Sequence, residues 1–189
     1  MRIAIKILNK EFYRNYEIDT DTNAEWYCIP EYATLGSAAV DLLCTEDVTI
    51  YPGETKVIHT GLAIWIGSSL DSEPVLCTDY GSIWTGLRIA GLIVPRSGLG
   101  TKGLILANTI GLIDDDYQGE LIIQAWNRNN KDEPDYINEH YIPKKIKLKA
   151  GDRIAQLMFV PVIKAQLNIV EEFSRVTDRN TGGFGSTGE

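Results

Sequence analysis

The sequence predicts an all-β fold, a sandwich or jelly roll built from many short strands. Apolar and polar residues alternate over residues 3–7 (IAIKI), which is the period of a half-buried strand. Turn-forming pairs such as Pro52-Gly53 and Gln118-Gly119 separate the later apolar runs at short intervals. Patterns with the helical period are scarce by comparison, so we expect strands to form nearly all of the core.

Further strands are expected along the chain wherever a short apolar or alternating run lies between turn signals. Residues 60–61 (TG) are expected to form a turn that separates two of these strands. The runs cover residues 48–51, 56–59, 62–66, 90–94, 104–106, 121–126, 146–148, 154–160 and 166–170.

Size and charge narrow the class of protein. A chain of 189 residues can bury one well-packed core and leaves little room for a second. The net charge of −8 argues against a nucleic-acid surface, which needs clustered lysine and arginine. No apolar run approaches the roughly 20 residues of a membrane span, and the first residues lack a signal-peptide pattern. The cysteines, odd in number and without C-x-x-C spacing, favour a reducing, cytoplasmic location.

Three consecutive aspartates, Asp114 to Asp116, stand out within residues 111–120 (GLIDDDYQGE). The glycines and the flanking apolar runs predict a tight hairpin with these aspartates and Tyr117 at its turn. Adjacent carboxylates repel one another, so a fold places them on a solvated turn or where a metal ion or ordered water uses the charge. By itself the segment is also compatible with a plain polar turn.

Four more segments accompany residues 111–120 in a fixed order along the chain. They are residues 37–43 (SAAVDLL), 95–100 (PRSGLG), 151–156 (GDRIAQ) and 179–188 (RNTGGFGSTG). Together the five segments closely resemble the five motifs of the trimeric dUTPases (deoxyuridine 5′-triphosphate nucleotidohydrolases). The resemblance extends from about Ile3 to the C-terminus, and five motifs in register are far more specific than one. Residues 67–89 and 129–147 resemble insertions relative to that family.

The resemblance implies hydrolysis of dUTP to dUMP and pyrophosphate, which limits uracil incorporation into DNA and supplies dUMP for dTMP synthesis. Asp114 is then the general base that deprotonates a water for attack on the α-phosphorus, in line with the departing pyrophosphate. Asp41 is the metal-site residue, which holds water on a Mg²⁺ ion chelated by the triphosphate. The implied substrate is dUTP and the implied cofactor is Mg²⁺.

The same resemblance assigns residues to the parts of the substrate. Uracil presents acceptor, donor and acceptor along its pairing edge, which backbone groups of a narrow hairpin can complement while rejecting cytosine. Tyr117 packs against the deoxyribose and leaves no space for a 2′-hydroxyl. The uracil contacts are Asn108, Gly111, Leu112, Ile113 and Ile122. The remaining substrate contacts are Arg96, Ser97, Gly98 and Gln156 in the β domain and Arg179, Phe184, Gly185, Ser186 and Thr187 in the C-terminal arm.

The resemblance also implies the domain organisation. Residues 1–176 form one β domain, and residues 177–189 form a mobile arm that closes over the active site. The implied assembly is a homotrimer with shared active sites, in which the arm of one subunit covers the substrate of its neighbour. The arm contains GFGSTG, but the chain ends one residue later, so this is no Rossmann fingerprint opening a helix. Its glycines instead let backbone N–H groups converge on phosphate oxygens.

Two positions depart from the family pattern, and neither removes a group that the chemistry requires. Leu43 replaces the arginine that commonly ends the first motif, and Asn180 replaces the glycine that commonly follows the arm arginine. Asparagine tolerates left-handed backbone better than most residues, so the arm should still turn there.

Two other functions stay open at the level of sequence. A dCTP deaminase shares the implied fold, but it needs a catalytic glutamate where this chain has Gln124. A regulatory protein partner could bind through the insertions at residues 67–89 and 129–147. We expect both insertions to lie outside the catalytic constellation, because none of the inferred site residues falls within them.

Overall fold

The computed structural model describes residues 3–15, 26–69, 87–130, 135–137, 140–142, 144–165 and 167–183. Most of the first expected insertion lies outside these residues, as do the predicted arm contacts Phe184, Gly185, Ser186 and Thr187. The described part of the chain is mostly strand, which confirms the expected all-β class. No helix in that part is long and apolar enough to cross a membrane. The cytoplasmic location stays a prediction.

Strands follow one another closely along the chain. They are β1 (Ala4–Ile7), β2 (Arg14–Asn15), β3 (Trp26–Tyr27), β4 (Val40–Leu43), β5 (Val48–Ile50), β6 (Thr55–Trp65), β7 (Leu87–Pro95), β8 (Leu104–Leu106), β9 (Gly111–Ile113), β10 (Glu120–Asn127), β11 (Asp135–Ile137), β12 (His140–Ile142), β13 (Ile146–Leu148) and β14 (Arg153–Ile163). The helical segments are short: α1 (Lys10–Tyr13), a 3₁₀ turn (Ile66–Ser69) and α2 (Ser97–Thr101).

Two four-stranded sheets carry the core. The first has the strand order β1-β6-β10-β8, and the second has the order β4-β14-β7-β9. One cluster of buried side chains includes Ile58 and Leu121 from the first sheet and Leu42, Ile93 and Leu157 from the second. The two sheets therefore share one hydrophobic core, as the layers of a sandwich do.

β6 runs without a break, so the expected turn at residues 60–61 is wrong. Glu120 of β10 pairs with Ala63, whereas Ile122, two residues on, pairs with His59, so β6 carries extra residues at this point. The irregularity is a β-bulge, and the glycine of the bulge has a φ of 68°, which a residue with a side chain rarely adopts. A Thr-Gly pair can thus bend a strand as well as end it.

Polar groups of the bulge have hydrogen-bond partners on β10 and on α1. The buried Thr60 hydroxyl donates to the Leu121 carbonyl at 2.7 Å, and the Gly61 N–H donates to Glu120 Oε1 at 2.8 Å. The Tyr13 hydroxyl donates to the Thr60 carbonyl at 2.7 Å. Burial, together with the Glu120 carboxylate, raises the pKa of Tyr13 to about 12. These bonds tie α1 and the first sheet together next to the third motif.

Residues 111–120 do not form the expected hairpin. β9 pairs with β7 in the second sheet, while β10 pairs with β6 and β8 in the first. The residues between them cross from one layer to the other, and the Tyr117 N–H donates to the Asp114 carbonyl at 3.2 Å to close a turn. Apolar flanks predict strands but do not specify a pairing partner, so sequence alone could not distinguish a hairpin from a crossing.

β14 extends to Ile163, and no strand follows it over residues 167–183, so the strand expected at residues 166–170 is wrong over its described part. Large apolar side chains in this segment are almost fully exposed. Leu167, Ile169 and Phe173 have relative accessibilities of 92%, 104% and 88%. Such side chains have no packing partner within the described part of their own chain.

The bulge makes a stability prediction. Thr60→Val keeps the shape of the side chain but leaves the buried Leu121 carbonyl without its donor, so we expect a loss of about 2 kcal/mol in the free energy of unfolding. Urea unfolding at one protein concentration measures this loss. Thr45→Val is the matched control, because the Thr45 hydroxyl donates to the His59 carbonyl at an exposed site where water can replace it. Equal losses of unfolding free energy in both variants would contradict a specific stabilising role for the buried Thr60 hydroxyl.

Candidate active site

A groove of about 610 Å³ lies where β4 and β14 meet the end of β7. Its walls contain parts of three of the five motifs. Asp41 comes from β4, Gln156 comes from β14, and Arg96, Ser97 and Gly98 follow β7. Gln156 pairs directly with Asp41 in the sheet, and β7 lies on the other side of β14. The structure therefore brings these five predicted site residues together.

Asp41 is the counter-ion of two arginines in this groove. Its Oδ1 lies 2.8 Å from Arg96 Nε, and its Oδ2 lies 3.5 Å from an Arg153 guanidinium nitrogen. Arg96 also donates to the Arg153 carbonyl at 3.2 Å. Because water reaches all three side chains, these ion pairs contribute little to stability. A ligand with more negative charge than one carboxylate can therefore compete for the guanidinium groups.

Gln156 and Gly98 shape the rest of the groove. Gln156 donates its side-chain N–H to the Pro95 carbonyl at 3.0 Å, which fixes the orientation of the amide. No described atom lies within 4 Å of the place where a Cβ on Gly98 would stand. The backbone of the Arg96–Gly98 turn is thus open to close approach by a ligand.

The three aspartates of the third motif have different surroundings. Asp114 and Asp116 are exposed, whereas Asp115 between them is buried at 6% relative accessibility. Arg88 of β7 forms an ion pair with the Asp115 carboxylate through its Nε. The hydrogen bond from Arg88 holds the pKa of Asp115 below its ordinary value, although burial acts in the opposite direction. Neutralisation of the middle charge explains how the fold accommodates three adjacent carboxylates.

Tyr117 is anchored by its hydroxyl, which donates to the Glu120 carbonyl at 2.8 Å. A Cβ on Gly119 would collide with that hydroxyl, so only glycine fits beneath the ring. The Glu120 carboxylate is itself held by the Gly61 N–H and by His59 Nδ1, each at 2.8 Å. The bulge in β6 therefore fixes the place of the tyrosine.

The predicted uracil contacts are only partly assembled within one chain. Asn108 and Gly111 are neighbours, since a Cβ on Gly111 would lie 3.6 Å from the Asn108 amide nitrogen. Leu112 and Ile113 continue along β9, and the Leu112 side chain is 63% exposed. Ile122 lies on β10 in the other sheet, with its side chain facing outward. Leu112 and Ile122 are thus exposed, whereas Gly111 and Ile113 are half-buried.

Asp41 of the groove and Asp114 of the third motif lie far apart within one chain. Asp41 is on β4, at the row of the sheet occupied by Val94 of β7, and Ile113 of β9 pairs with Gly91. Three strand spacings of the order β4-β14-β7-β9 span about 14 Å, and three residues along β7 span about 10 Å. The two backbones are therefore roughly 17 Å apart, and Asp114 lies one residue farther along. Side chains cannot bridge that distance.

The arm is described as far as residue 183. Arg179 is exposed, and its Nε donates to the Gly182 carbonyl at 3.2 Å. Asn180 has a φ of 43°, which confirms that asparagine takes up left-handed backbone at this position.

Two features were missed by sequence reasoning. One is the Arg88–Asp115 ion pair, which has no sequence signal because three identical aspartates stand side by side and Arg88 lies 27 residues away. The other is a basic groove of about 820 Å³ that shares Arg96 with the first groove and is also lined by Arg153. Its further basic residues are Lys102 and three lysines that lie close together within the expected insertion at residues 129–147: Lys144, Lys145 and Lys147.

The lowered pKa of Asp115 makes a prediction about acid stability. A lowered folded-state pKa means that the ion pair stabilises the fold fully above the ordinary carboxyl pKa of about 4, and that this contribution fades as the pH falls through the lowered pKa. Urea unfolding of Asp115→Asn and the unchanged protein should therefore differ at neutral pH and converge in acid. Asp47→Asn, at an exposed aspartate, is the control. A difference that stays constant across the pH range would contradict this account.

Comparisons with known proteins agree with this arrangement of motifs. The sequence model of the family described as dUTPase matches residues 26–188. The deoxyuridine 5′-triphosphate nucleotidohydrolase of Histophilus somni (strain 2336) is 46% identical over 164 residues, which cover 85% of this chain and 87% of that protein. The enzyme of the same name from Glaesserella parasuis serovar 5 (strain SH0165) is 41% identical and covers 100% of this chain and 98% of its own length.

Solved structures show the same likeness. The dUTPase of Staphylococcus bacteriophage 80alpha with dUPNHPP is 28% identical, with a TM-score of 0.71 over 100% of this chain and 99% of that one. A mutant dUTPase from phage phi11 of S. aureus, solved with a structural Mg(II) ion, shares the fold at 24% identity and a TM-score of 0.64, over 93% and 100% of the two chains. On the family match and the two bacterial relatives, this chain belongs to the dUTPase family.

Proposed function

We propose that this protein hydrolyses dUTP to dUMP and pyrophosphate. Two features of this dUTPase-family fold support the proposal. One is the groove lined by Arg96, Gln156 and Asp41, and the other is the exposed Asp114 near Tyr117. The groove suits a triphosphate, and the aspartate suits activation of a water beside a deoxyribose. The activity would limit uracil incorporation into DNA and supply dUMP for dTMP synthesis.

Arg96 is the main phosphate contact of the groove in this proposal, with Ser97 beside it and Gly98 giving close backbone access. Its guanidinium is already in place, held by Asp41 at 2.8 Å. A triphosphate carries several charged oxygens and can accept paired hydrogen bonds from the planar guanidinium, so it displaces the single carboxylate. Gln156, oriented by its bond to the Pro95 carbonyl, then lies near the α-phosphate.

Uracil is recognised by the backbone of Gly111, Leu112 and Ile113 together with the Asn108 amide and the backbone of Ile122. Cytosine would present its amine where the site offers a donor, which leaves buried polar groups unpaired and costs binding. The Tyr117 ring excludes a 2′-hydroxyl because its own hydroxyl is tied to the Glu120 carbonyl at 2.8 Å and cannot move aside cheaply.

Asp114 is the general base. Its carboxylate is exposed, so it can hold a water, take its proton and direct the resulting nucleophile at the α-phosphorus. Pyrophosphate departs on the opposite side, in line with the attack. The neighbouring Asp115 is committed to its ion pair with Arg88 and is not available for this step.

The metal-binding groups at the groove fit a magnesium ion that is bound mainly by the phosphates of the substrate. Asp41 is a single carboxylate there, and the described residues contain no group of three or more His, Cys, Asp or Glu that could hold a metal. Mg²⁺ keeps several waters and is commonly held by one or two carboxylates plus substrate phosphates. When bound, it neutralises charge on the phosphates and on the leaving pyrophosphate. Asp41 would hold one of its waters once Arg96 has turned to the phosphates.

A shared site in a homotrimer resolves the separation within one chain. Because Ile113 and Asp41 lie roughly 17 Å apart, we infer that the groove of one subunit works with the Asp114 segment of another. The exposed apolar side chains of Leu167, Ile169 and Phe173 support such an assembly, since contact with a second copy would bury them.

The arm completes the site over the bound substrate. Arg179 binds the γ-phosphate, Phe184 stacks on the uracil, and Gly185, Ser186 and Thr187 add backbone and hydroxyl donors. Ordering a glycine-rich segment costs about 1–2 kcal/mol per residue, so the arm should close only when substrate contacts compensate.

A dCTP deaminase is the rival activity. At the position of its catalytic glutamate this chain has Gln124, on an outward-facing position of β10, and an amide neither takes up nor releases a proton near neutral pH. Pyrophosphate release from dUTP, compared with ammonia release from dCTP, separates the two activities. A regulatory partner that binds the insertions stays a prediction.

Asp114→Asn tests the proposed base. The amide keeps the shape of the carboxylate but cannot accept the proton, so we expect turnover to fall by about a hundredfold or more. The dissociation constant of a non-hydrolysable dUTP analogue should change little. Asp47→Asn is the matched control: Asp47 is exposed, and the Asn oxygen can still accept the bond from the Ala150 N–H. Near-normal turnover by Asp114→Asn would contradict the assignment of Asp114 as the general base.

A further inference from the structure

Both ends of the first insertion meet at one residue of the third motif. The Gly67 N–H donates to the Asp115 carbonyl at 2.7 Å, and Arg88 forms its ion pair with the Asp115 carboxylate. Residues 67 and 88 lie just inside the two boundaries expected for the insertion at residues 67–89. The expectation that this insertion lies outside the catalytic constellation is therefore incomplete, because its two ends hold the residue next to Asp114.

The contact with Gly67 is close enough to exclude any side chain there. A Cβ on Gly67 would lie 2.8 Å from the Asp115 carbonyl oxygen and 2.8 Å from the indole nitrogen of Trp65. Backbone is packed against backbone at this point, so a larger residue would push the two segments apart. Asp115 is thus held through its main chain and its side chain at once.

Fixing Asp115 also fixes the direction of its neighbours. Asp115 points into the protein, whereas Asp114 and Asp116 on either side point to solvent. Asp115 directly follows Asp114 and is a central residue of the turn that the Tyr117 N–H closes on the Asp114 carbonyl, so holding Asp115 also holds the backbone of Asp114. The turn between Asp114 and Tyr117, closed by a bond of 3.2 Å, limits the freedom of the segment on its other side.

We propose that Gly67, Arg88 and Asp115 form a positioning clamp that sets the Asp114 carboxylate for catalysis and couples the first insertion to the active site. The proposal rests on the function of Asp114 proposed above. Asp115 is a positioning residue here, because it acts through Asp114 and touches no substrate. The clamp also couples the insertion to the reaction, because any movement of Gly67 or Arg88 away from Asp115 changes the position of the Asp114 carboxylate.

The expected signature is a fall in kcat without a matching change in binding. A misplacement of about 1 Å in a catalytic group can cost a hundredfold in rate, so we expect Arg88→Met and Asp115→Asn each to lower kcat by about tenfold to a hundredfold. KM and the dissociation constant of a non-hydrolysable dUTP analogue should stay within about threefold, because the groove residues are unchanged. Arg88→Lys keeps the charge without the guanidinium geometry and should rescue kcat only in part.

Arg128→Met is the matched control, since Arg128 donates to the Gly100 carbonyl at 3.2 Å and takes no part in the clamp. It should leave kcat unchanged. The double variant Arg88→Met with Asp115→Asn should lose no more activity than either single variant, because both remove the same clamp. This double variant buries no unpaired charge, so it carries the test even where a single variant fails to fold.

Two deletions separate the clamp from the rest of the insertion. Replacing residues 70–86 with a short Gly-Ser linker keeps Gly67 and Arg88, and kcat should stay within about threefold. Replacing residues 67–89 removes both, and kcat should fall as it does in Arg88→Met. Equal effects of the two deletions, or wild-type kcat in folded Arg88→Met and Asp115→Asn, would overturn the clamp.

The activity of Asp114→Asn distinguishes a failure of the clamp proposal from a failure of the proposed function. An inactive Asp114→Asn with fully active clamp variants would reject the clamp alone. An active Asp114→Asn would reject the proposed base and the clamp together.

Discussion

The antiparallel pairing of β14 with both β4 and β7 is the constraint on which the candidate active site depends. It places Gln156 directly beside Asp41 and brings the end of β7, with Arg96, to the same side of the sheet. The same strand order puts β9 on the far edge, beyond β7. The same strand order therefore brings Asp41, Arg96 and Gln156 together and keeps Asp114 of the same chain away from Asp41.

The arginine–aspartate ion pairs of this acidic protein are of two kinds, one partly exposed and one with a buried carboxylate. The net charge is −8, yet a basic groove adjoins the groove of Asp41 and Gln156 and shares Arg96 with it. Asp41 holds Arg96 and Arg153 in partly exposed ion pairs that a polyanion can replace. Asp115 is different, because its ion pair with Arg88 is buried on the carboxylate side and leaving that charge unpaired would be costly. The first pairing suits exchange with a ligand, and the second suits permanent positioning.

Sequence patterns predicted most of the strands, for local reasons. β10 alternates between buried and exposed positions along its length, as its apolar periodicity requires. Asp41, Arg96 and Gln156 were predicted as site residues through motif resemblance, and the sheet brings them together. What sequence could not supply was non-local. The bulge at residues 60–61 depends on Glu120 and Tyr13, and the pair of Arg88 with Asp115 joins residues 27 positions apart.

In the proposed assembly each active site combines the groove of one subunit with Asp114 of another. Subunit mixing tests this shared site most directly. Arg96→Ala and Asp114→Asn chains should each be nearly inactive alone. Co-refolded in equal amounts, they should recover about one quarter of wild-type dUTP hydrolysis, because one random site in four then receives an intact groove and an intact base. Activity no greater than the sum of the parents, in mixtures whose mass shows mixed assemblies, would contradict the account.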